Sequence, residues 1–383
     1  MIELALGLLA LPALFVSGYL FFLAACSRRR APPPGRAGLR FDLVVPAHDE
    51  EAGIARTVRS LLAVDYPAGL RRVLVVADNC TDHTAARARA AGAEVLVRDE
   101  PALRGKGYAL AHAFSHSLRD GVADAVVVVD ADSVVSPNLL RAFAARLAQG
   151  AQAVQAGSAV LNPGDSWRTQ LMALAFALFN RVRSLGRENL GLSCGLRGNG
   201  MCLSAALLRA HPPRAFSIVE DLEYGIALGR ASVRVHYADE ISVASAMVSS
   251  SSAAGAQRRR WEQGRFALAR RLLLPLLRDA GRTSSGLLLD LAIDLLVPPL
   301  STVALYLAAG LAVSALAGGF AVLLWLTSAA LLTGYVVRGW VLSGVGAGAL
   351  LQIPRYLVWK ALLLFQPRHA SGWVRTAREE PLP

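Results

Sequence analysis

Hydrophobic residues along this chain form two patterns: short runs of strand length in the middle, and long runs near both ends. The valine run 126–129 is typical of a strand buried on both faces, because neither face is polar. Similar strands are predicted at 41–46, 73–77, 94–97 and 153–159, with stretches of helical length between them. Strands that alternate with helices predict right-handed crossovers. We therefore expect an α/β domain with a Rossmann-like, mainly parallel sheet.

Beyond residue 160 the pattern is less regular. It predicts a largely apolar helix at 167–185, a glycine-rich loop at 192–202 and a helix that begins at Glu220. The acidic residues at the start of that helix suit its positive amino end. Residues 257–271 predict a basic helix in which aromatic residues lie among arginines, as expected of an element at a membrane surface.

The long apolar runs predict helices in a membrane. Residues 1–26 are nearly all apolar, and about 20 such residues can cross a hydrocarbon core of roughly 30 Å. Near the other end we expect one span at 287–316 and a second at 320–337. Residues 345–365 predict an interfacial or partly re-entrant helix, with a full span as the alternative. Asp290 and Asp294 lie four apart in the first of these spans and are expected to face protein or an interfacial entrance.

Basic residues next to the apolar runs indicate the orientation. Arginines 28–30 follow the first run and favour the cytoplasm, as do Arg338 and the basic residues of the tail. A cleaved signal is the alternative for residues 1–26, since residues 23–26 resemble a lipoprotein cleavage box. The amino terminus lacks the positive charge of a signal, which favours an anchor.

Composition excludes some classes of function. The net charge of +12 suggests nucleic-acid binding, but the basic residues are scattered or lie beside apolar runs, and no nucleic-acid-binding motif accompanies them. Contact with anionic membrane lipids is the simpler explanation, so we expect no nucleic-acid partner. The four cysteines form no Cys-x-x-Cys pair, which argues against a zinc site or a disulfide framework.

Acidic residues follow the predicted strands where a ligand would bind. Asp130 and Asp132 come directly after the valine run, and Asp78 follows an earlier strand. Carboxylates at the carboxyl edge of a parallel sheet converge on one crevice, where two aspartates can hold Mg²⁺ or Mn²⁺ beside substrate phosphates. Asp221, at a predicted helix start, is a third acidic site. Lys106 lies between two glycines at a helix start, a position suited to a phosphate.

Six motifs in order resemble those of membrane-bound family 2 glycosyltransferases, the branch that includes cellulose, chitin, hyaluronan and glucosylceramide synthases. They are Pro46-Ala47-His48-Asp49-Glu50, Asp78-Asn79-Cys80-Thr81-Asp82, Arg104-Gly105-Lys106-Gly107, Asp130-Ala131-Asp132, Glu220-Asp221 and Gln257-Arg258-Arg259-Arg260-Trp261. The resemblance covers residues 41–265 and, more loosely, the flanking apolar segments. Gln-x-x-Arg-Trp is its most specific member.

The resemblance implies a GT-A fold and an inverting transfer from a nucleotide-diphosphate sugar, most often a UDP-sugar, to a lipid-linked or polysaccharide acceptor. The implied setting is the cytoplasmic face of the inner (plasma) membrane. Asp221 matches the catalytic base. The implied donor contacts are Glu50, Asp78, Lys106 and Asp130, the implied Mg²⁺ or Mn²⁺ ligands are Asp130 and Asp132, and the implied acceptor and diphosphate contacts are Glu220, Gln257, Arg260 and Trp261.

The predicted organisation has six parts: an anchor at 1–26, a basic, proline-rich linker at 27–40, a GT-A domain at 41–255, an interfacial helix region at 256–285, membrane or interfacial helices at 286–366 and a cytoplasmic tail at 367–383. Val219 stands where the synthases commonly have Thr. The few carboxyl-terminal apolar segments argue against a polymer-conducting channel. The alternatives are a sugar-nucleotide nucleotidyltransferase and a non-enzymatic, nucleotide-sensing membrane transporter or scaffold.

Overall fold

The computed structural model describes residues 2–35, 38–214, 217–247 and 251–363, with the backbone alone at 120, 251–261 and 363. The strands are β1 Phe41–Ala47, β2 Arg71–Asp78, β3 Glu94–Arg98, β4 Ala125–Val128, β5 Ser133–Val135, β6 Ala153–Val160, β7 Met201–Ser204 and β8 Val235–Ser245. The α-helices are α1 Ile2–Ala25, α2 Ile54–Leu62, α3 Thr84–Ala90, α4 Lys106–Asp120, α5 Leu139–Ala148, α6 Trp167–Phe176, α7 Arg183–Asn189, α8 Ala205–Ala210, α9 Glu220–Arg230, α10 Ser251–Thr283, α11 Gly286–Leu296, α12 Leu300–Ala317, α13 Ala321–Ser343, α14 Gly348–Leu351 and α15 Ile353–Leu363.

The eight strands form one mixed sheet in the order β3-β2-β1-β4-β7-β6-β8-β5. The first half, from β3 to β4, is parallel, as the alternating pattern predicts. The second half mixes directions, because β7 runs antiparallel to both β4 and β6, and β5 runs antiparallel to β8. The sequence did not predict β5, β7 or β8. The segment at β7 was expected to be a glycine-rich loop, but its last residues pair with the valine strand.

Both faces of the sheet are covered. Every residue of β4 is fully buried, which explains its unbroken valine run. The core on one face includes Val44 and Val126 and continues into side chains of α1 and α13. The core on the other face contains Leu43 and Val127 and is closed by α2 and α5. The α/β domain and the apolar helices therefore share a continuous core.

The helix predicted at 167–185 extends to Asn189, and its middle part is a π-helix. Helices α6 and α7 are joined through a π-helix, Ala177–Val182. Helix α1 packs against α7 at Gly186, where an added Cβ would lie 2.4 Å from the carbonyl oxygen of Leu23. Glycine at this position therefore lets the two helices approach closely.

The predicted span at 287–316 is wrong, because the chain breaks at Val297, Pro298 and Pro299. Proline lacks an amide hydrogen and disfavours helix in the residue before it, so α11 ends and α12 starts anew. Asp290 and Asp294 lie in α11, which has 11 residues, and both carboxylates are buried against arginines. Both side chains therefore face protein, which was one of the two alternatives expected from the sequence.

Three helices in the described ranges are long and apolar enough to cross a membrane: α1, α12 and α13. Helix α13 extends six residues beyond the predicted span at 320–337, to Ser343. The segment predicted as interfacial or re-entrant forms two short helices, α14 and α15, and neither is among the candidate spans found in the described ranges. The tail at 367–383 lies outside the described residues.

Candidate active site

A large cavity of about 1480 Å³ opens at the carboxyl edge of strands β1, β2 and β4 and extends to the apolar helices. Seven predicted site residues have described side chains, and all of them line this cavity: Glu50, Asp78, Lys106, Asp130, Asp132, Glu220 and Asp221. Residues from five separate motifs therefore meet at one place. Their individual roles remain predictions.

Lys106 lies among the carboxylates of the cavity. Its Nζ donates hydrogen bonds to Asp130 Oδ1 at 2.5 Å and to the carbonyl oxygen of Gly198 at 2.6 Å. Lys106 is the first residue of α4, directly after Gly105, whose φ of +129° is open to glycine. Burial lowers the pKa of the ammonium, but Asp130, Glu220 and Asp221 together raise it above its ordinary value. Lys106 is therefore a fixed positive charge among three carboxylates.

The glycine-rich loop before β7 forms the floor between these groups. The side chain of Asn199 accepts a hydrogen bond from the backbone NH of Asp130 and donates to the hydroxyls of Ser133 and Ser245. A Cβ at Gly198 would lie 3.1 Å from Asp221 Oδ2 and 3.4 Å from Lys106 Nζ. The loop thus brings Asp130, Lys106 and Asp221 together, and a side chain at position 198 would crowd them.

Glu220 and Asp221 begin helix α9, and both have raised pKa values. Burial raises the pKa of Glu220 to about 7, with a further rise from Asp221 and an opposing effect of Lys106. Burial also raises the pKa of Asp221, while the backbone NH of Leu222, at 2.8 Å, stabilises its charged form. Two adjacent carboxylates at a cavity wall with raised pKa values are suited to accept a proton near neutral pH.

Asp78 is held by a partner that the sequence analysis missed. Its Oδ1 accepts hydrogen bonds from Arg98 Nη1 at 2.5 Å and from the side chain of Asn79 at 3.0 Å. Arg98 is buried at the end of β3, next to the end of β2 in the sheet. Only the pairing of these two strands brings Arg98 to Asp78, so no local motif could have indicated it.

The loops after β1 and β2 contain a second group of potential metal ligands. Ligand atoms of Asp49, Cys80 and Asp82 lie within 4.8 Å of one another. Both carboxylates also bind the loops themselves: Asp49 accepts from the backbone NH of Thr81, and Asp82 from that of Thr84. These contacts hold the two loops together beside Glu50, whose backbone NH donates to the Thr84 hydroxyl at 2.7 Å.

The far part of the cavity is apolar and is formed by helices of the carboxyl-terminal segment. Leu300 and Ala304 of α12 and Leu332 and Val336 of α13 line it, together with Leu357 of α15. Helix α15 is tied to α10 by Lys360, whose Nζ donates to both carboxylate oxygens of Glu262 at 2.8 and 3.0 Å. The side chains of Gln257, Arg260 and Trp261, on the same helix α10, lie outside the described residues.

A mixed sheet with this strand order, carrying carboxylates at one edge beside a nucleotide-sized cavity, defines the protein as a member of the GT-A class. Residues 38–264 match the family described as "Glycosyltransferase like family 2", and the chain belongs to that family.

Known proteins similar to this chain include two curated relatives and a solved structure. The beta-monoglucosyldiacylglycerol synthase of Synechocystis sp. is 30% identical over 231 residues, 58% of this chain and 47% of the relative. Cellulose synthase 2 of Novacetimonas hansenii is 32% identical over 101 residues, 26% of this chain and 6% of the relative. The chain thus spans about half the length of the first relative and a far smaller share of the second.

The solved structure is the mannosyltransferase PcManGT from Pyrobaculum calidifontis in complex with GDP-Man and Mn²⁺. It has a TM-score of 0.56 and 20% identity, and the match covers 89% of this chain and 98% of that one. The likeness therefore extends beyond the α/β domain to most of the fold. The three helices that are long and apolar enough to cross a membrane indicate that the protein associates with a membrane.

Proposed function

We propose that the protein is an inverting glycosyltransferase that moves a sugar from a nucleotide-diphosphate sugar to a lipid acceptor at the membrane surface. One observation carries this proposal: a single cavity is lined by the acidic motifs at one end and by apolar side chains of α12, α13 and α15 at the other. A polar donor and an apolar acceptor chain could thus occupy one site.

The donor is proposed to lie along the carboxyl edge of β1, β2 and β4. Glu50 and Asp78 would contact the nucleoside, with Asp78 oriented by Arg98. Lys106 would contact the nucleotide phosphates, and Gln257, Arg260 and Trp261 would close over the diphosphate. A UDP-sugar is the donor that the family resemblance favours.

Asp130 and Asp132 fit a divalent cation such as Mg²⁺ or Mn²⁺, because both offer carboxylate oxygens to the cavity. Lys106 Nζ donates to Asp130 Oδ1, and the proposed ion would bind the same carboxylate beside this lysine. A bound divalent ion would offset the negative charge of the departing diphosphate. The ion and Lys106 would act on the same leaving group.

Asp221 is proposed to remove the proton from the acceptor hydroxyl. The hydroxyl oxygen then forms a bond to the anomeric carbon as the bond from that carbon to the diphosphate oxygen breaks, with inversion. The electron pair of the broken bond leaves on the nucleoside diphosphate, and the proton stays on Asp221 until solvent accepts it. Burial, which raises the pKa of Asp221, makes this carboxylate a stronger base than an exposed aspartate.

A lipid acceptor is favoured over a growing polysaccharide. The relative with the longer match is named for a glucosylated diacylglycerol, and the apolar end of the cavity suits acyl or isoprenoid chains. The proposed setting is the cytoplasmic face of the inner membrane, because arginines 28–30 follow α1 and Arg338 lies near the end of α13. The rival functions, a nucleotidyltransferase or a nucleotide-sensing scaffold, would leave the apolar end of the cavity without a role.

A donor and acceptor screen tests the proposal. Membranes with the full-length protein would receive radiolabelled UDP-glucose, UDP-galactose, UDP-N-acetylglucosamine or GDP-mannose, and the products would be separated into lipid and polymer fractions. We expect label from one donor in the lipid fraction. Asp221→Asn should lower kcat by about 10²- to 10⁴-fold with donor affinity retained, and Asp165→Asn, on an exposed loop, should not. Label in neither fraction, or turnover retained in Asp221→Asn, would contradict the proposal.

A further inference from the structure

Four arginines gather between the acidic motifs and the apolar helices, around two carboxylates. The cluster contains Arg183, Arg187, Arg197, Arg265, Asp290 and Asp294. Two carboxylates shared among four guanidinium groups leave the cluster with an excess of positive charge. The function proposed above gives this charge no task.

The contacts divide the cluster into a structural part and a part that faces the cavity. Arg187 is 2% exposed in its side chain and donates to Asp290 at 2.8 Å, to Asp294 at 2.7 Å and to the Tyr19 hydroxyl. It therefore binds both carboxylates, while Asp294 also accepts hydrogen bonds from Arg183 at 3.3 Å and from Arg265 at 3.1 Å. Arg183, Arg197 and Arg265, by contrast, all line the cavity.

The three cavity arginines surround one aromatic ring. Their guanidinium carbons lie 4.9 Å (Arg183), 4.4 Å (Arg197) and 5.7 Å (Arg265) from the centre of the Phe179 ring. Phe179 belongs to the π-helix between α6 and α7. The ring holds the three cations close together where repulsion would otherwise separate them.

Arg197 is the member with the least compensation. Among the described residues its side chain donates to the carbonyl oxygen of Cys194 at 3.1 Å, and its buried Nε has no hydrogen-bond partner. Burial lowers the pKa of Arg197 to about 10. Asp294 raises it in part, and the neighbouring Arg187 and Arg265 lower it further. A buried guanidinium with no hydrogen-bonded carboxylate is costly unless an anion joins it.

The position of Arg197 relates this charge to the acceptor. Arg197 directly precedes Gly198, whose carbonyl oxygen accepts from Lys106 and where an added Cβ would lie 3.1 Å from Asp221 Oδ2, so it lies close to the proposed base. On its other side the cavity continues to Leu300 and Leu332 of the apolar helices. An anion held there would sit at the boundary between a reacting hydroxyl or phosphate and an apolar chain.

We propose that Arg183, Arg197 and Arg265 form a subsite for the phosphate group of an anionic lipid acceptor. The inference rests on the proposed function and deepens it, since it names the chemical class of the acceptor. Guanidinium groups bind phosphate oxygens through paired hydrogen bonds, which a neutral acceptor head group would not satisfy. Bilayer phospholipids and polyprenyl phosphates share this chemistry.

The test compares lipids that differ only in phosphate. Purified full-length protein in a neutral detergent would be titrated with dioleoylphosphatidic acid and dioleoylglycerol, and with a polyprenyl phosphate and the matching polyprenol. Native mass spectrometry would give the apparent Kd of each. We expect the phosphate-bearing lipid to bind at least tenfold more tightly in one pair, and that pair identifies the source of the phosphate.

Variants assign the preference to the cluster. Arg197→Gln should abolish the preference for the phosphate-bearing lipid. Arg197→Lys keeps the positive charge but loses the paired hydrogen bonds of the guanidinium, so it should retain part of the preference. Arg209→Gln, an equal change of charge at an exposed site on α8, should leave it intact. Calorimetric titration with UDP and Mn²⁺ would check in parallel that each variant retains a folded donor site. If Arg197→Gln does not fold, the comparison of lipids in the parent protein decides.

Three results would overturn the inference or separate it from the proposed function. Equal binding within both pairs overturns it, and label still transferred to neutral lipid would then leave the glycosyltransferase function standing. A loss of UDP affinity in Arg197→Gln with unchanged lipid preference overturns it also, since the arginines would then serve the donor. A phosphate preference in a protein that binds no nucleotide sugar would uphold the subsite and contradict the proposed function.

Discussion

Lys106 joins the two acidic motifs of the cavity. Its Nζ donates a hydrogen bond to Asp130. Burial raises the pKa of Asp221, and the positive charge of Lys106 lowers it in part. The charge of one lysine therefore affects both donor binding and the basicity of the proposed base.

The first prediction concerns the pH dependence of transfer. Burial raises the pKa of Glu220 to about 7 and also raises that of Asp221, so the pair should hold a proton below neutral pH. Protonated Asp221 cannot accept the acceptor proton, so kcat/KM should fall as the pH decreases through the pKa of Asp221, which burial raises above its ordinary value. In Glu220→Gln the neighbouring negative charge is absent, so this acidic limb should move to lower pH. A limb near pH 4 in the parent, or one that Glu220→Gln leaves in place, would contradict the assignment.

The second prediction concerns the metal. Asp132→Ala should remove metal-dependent donor binding, because one of two carboxylate ligands is lost. Isothermal titration with UDP would be performed with Mn²⁺ and with EDTA. A donor affinity in the parent protein that is indifferent to EDTA would exclude the proposed ion. Asp82→Ala, at the other group of potential ligands, distinguishes the two sites, since it should leave the metal dependence unchanged.

At the scale of single residues, local sequence patterns predicted a good part of the candidate site. Asp130 and Asp132 follow a buried strand, and Lys106 lies between glycines, so short-range patterns place them at the sheet edge. Arg98 and Arg197 were missed, because nothing within a few residues of either shows that it lies beside Asp78 or Phe179. These contacts span 20 residues for Arg98–Asp78 and 18 for Arg197–Phe179, and they are set by strand pairing and helix packing, which a single sequence does not display.

Among the elements, the amino-terminal helix is held by the fold and not only by its hydrophobicity. Helix α1 packs along α13 and α12, and its end is fixed to α7 at Gly186. Asn189 of α7 also donates to the carbonyl oxygens of Cys26 and Arg28, both at 2.7 Å. These contacts fix both the side and the end of α1; the anchor at residues 1–26 stays a prediction.

The third prediction tests this packing. Gly186→Ala would place a Cβ 2.4 Å from the Leu23 carbonyl oxygen, so the two helices must separate. We expect a loss of about 1–3 kcal/mol in stability, measured as a lower Tm in detergent. Gly18→Ala in α1 is the matched control, because its added Cβ meets no atom within 4 Å, and it should leave the Tm unchanged or slightly raised. Equal Tm values for both variants would contradict the close approach.

The boundaries of helices and strands could be predicted where a single sequence pattern marks them. The parallel strands and α9 lie where periodicity and turn residues indicate. Strands β7 and β8 were missed because glycines and mixed polar residues hide their alternation, and their strand character comes from pairing with β4 and β6. The span predicted at 287–316 is wrong because hydropathy favours one continuous helix there, whereas Pro298 and Pro299 separate α11 from α12.

At the scale of the whole molecule, Asp294 joins segments far apart in the chain. It accepts hydrogen bonds from Arg183 and Arg187 of α7 and from Arg265 of α10. Burial opposes its charge, but the surrounding arginines hold its pKa well below the ordinary value. Asp294 therefore stays charged and ties the α/β domain to the carboxyl-terminal helices.

The fourth prediction follows from this arrangement. Asp294→Asn removes a shared buried charge and leaves three arginines with less compensation, so we expect a loss of about 3–5 kcal/mol or failure to fold. Asp279→Asn breaks the more exposed pair with Arg230 and should cost about 0–1 kcal/mol. Thermal unfolding in detergent measures both. Similar small shifts in both variants would show that the cluster does not hold the two parts together.

The break at Val297–Pro299 has a topological consequence. Because α11 stays with the α/β domain and α12 starts beside the cavity, a bilayer crossed by α12 and α13 would place the mouth of the cavity level with one leaflet. A lipid acceptor of the proposed kind would then stay in its leaflet, and its newly attached sugar would face the compartment that supplies the donor. Delivery of such a product to the opposite side would then be the work of a separate flippase.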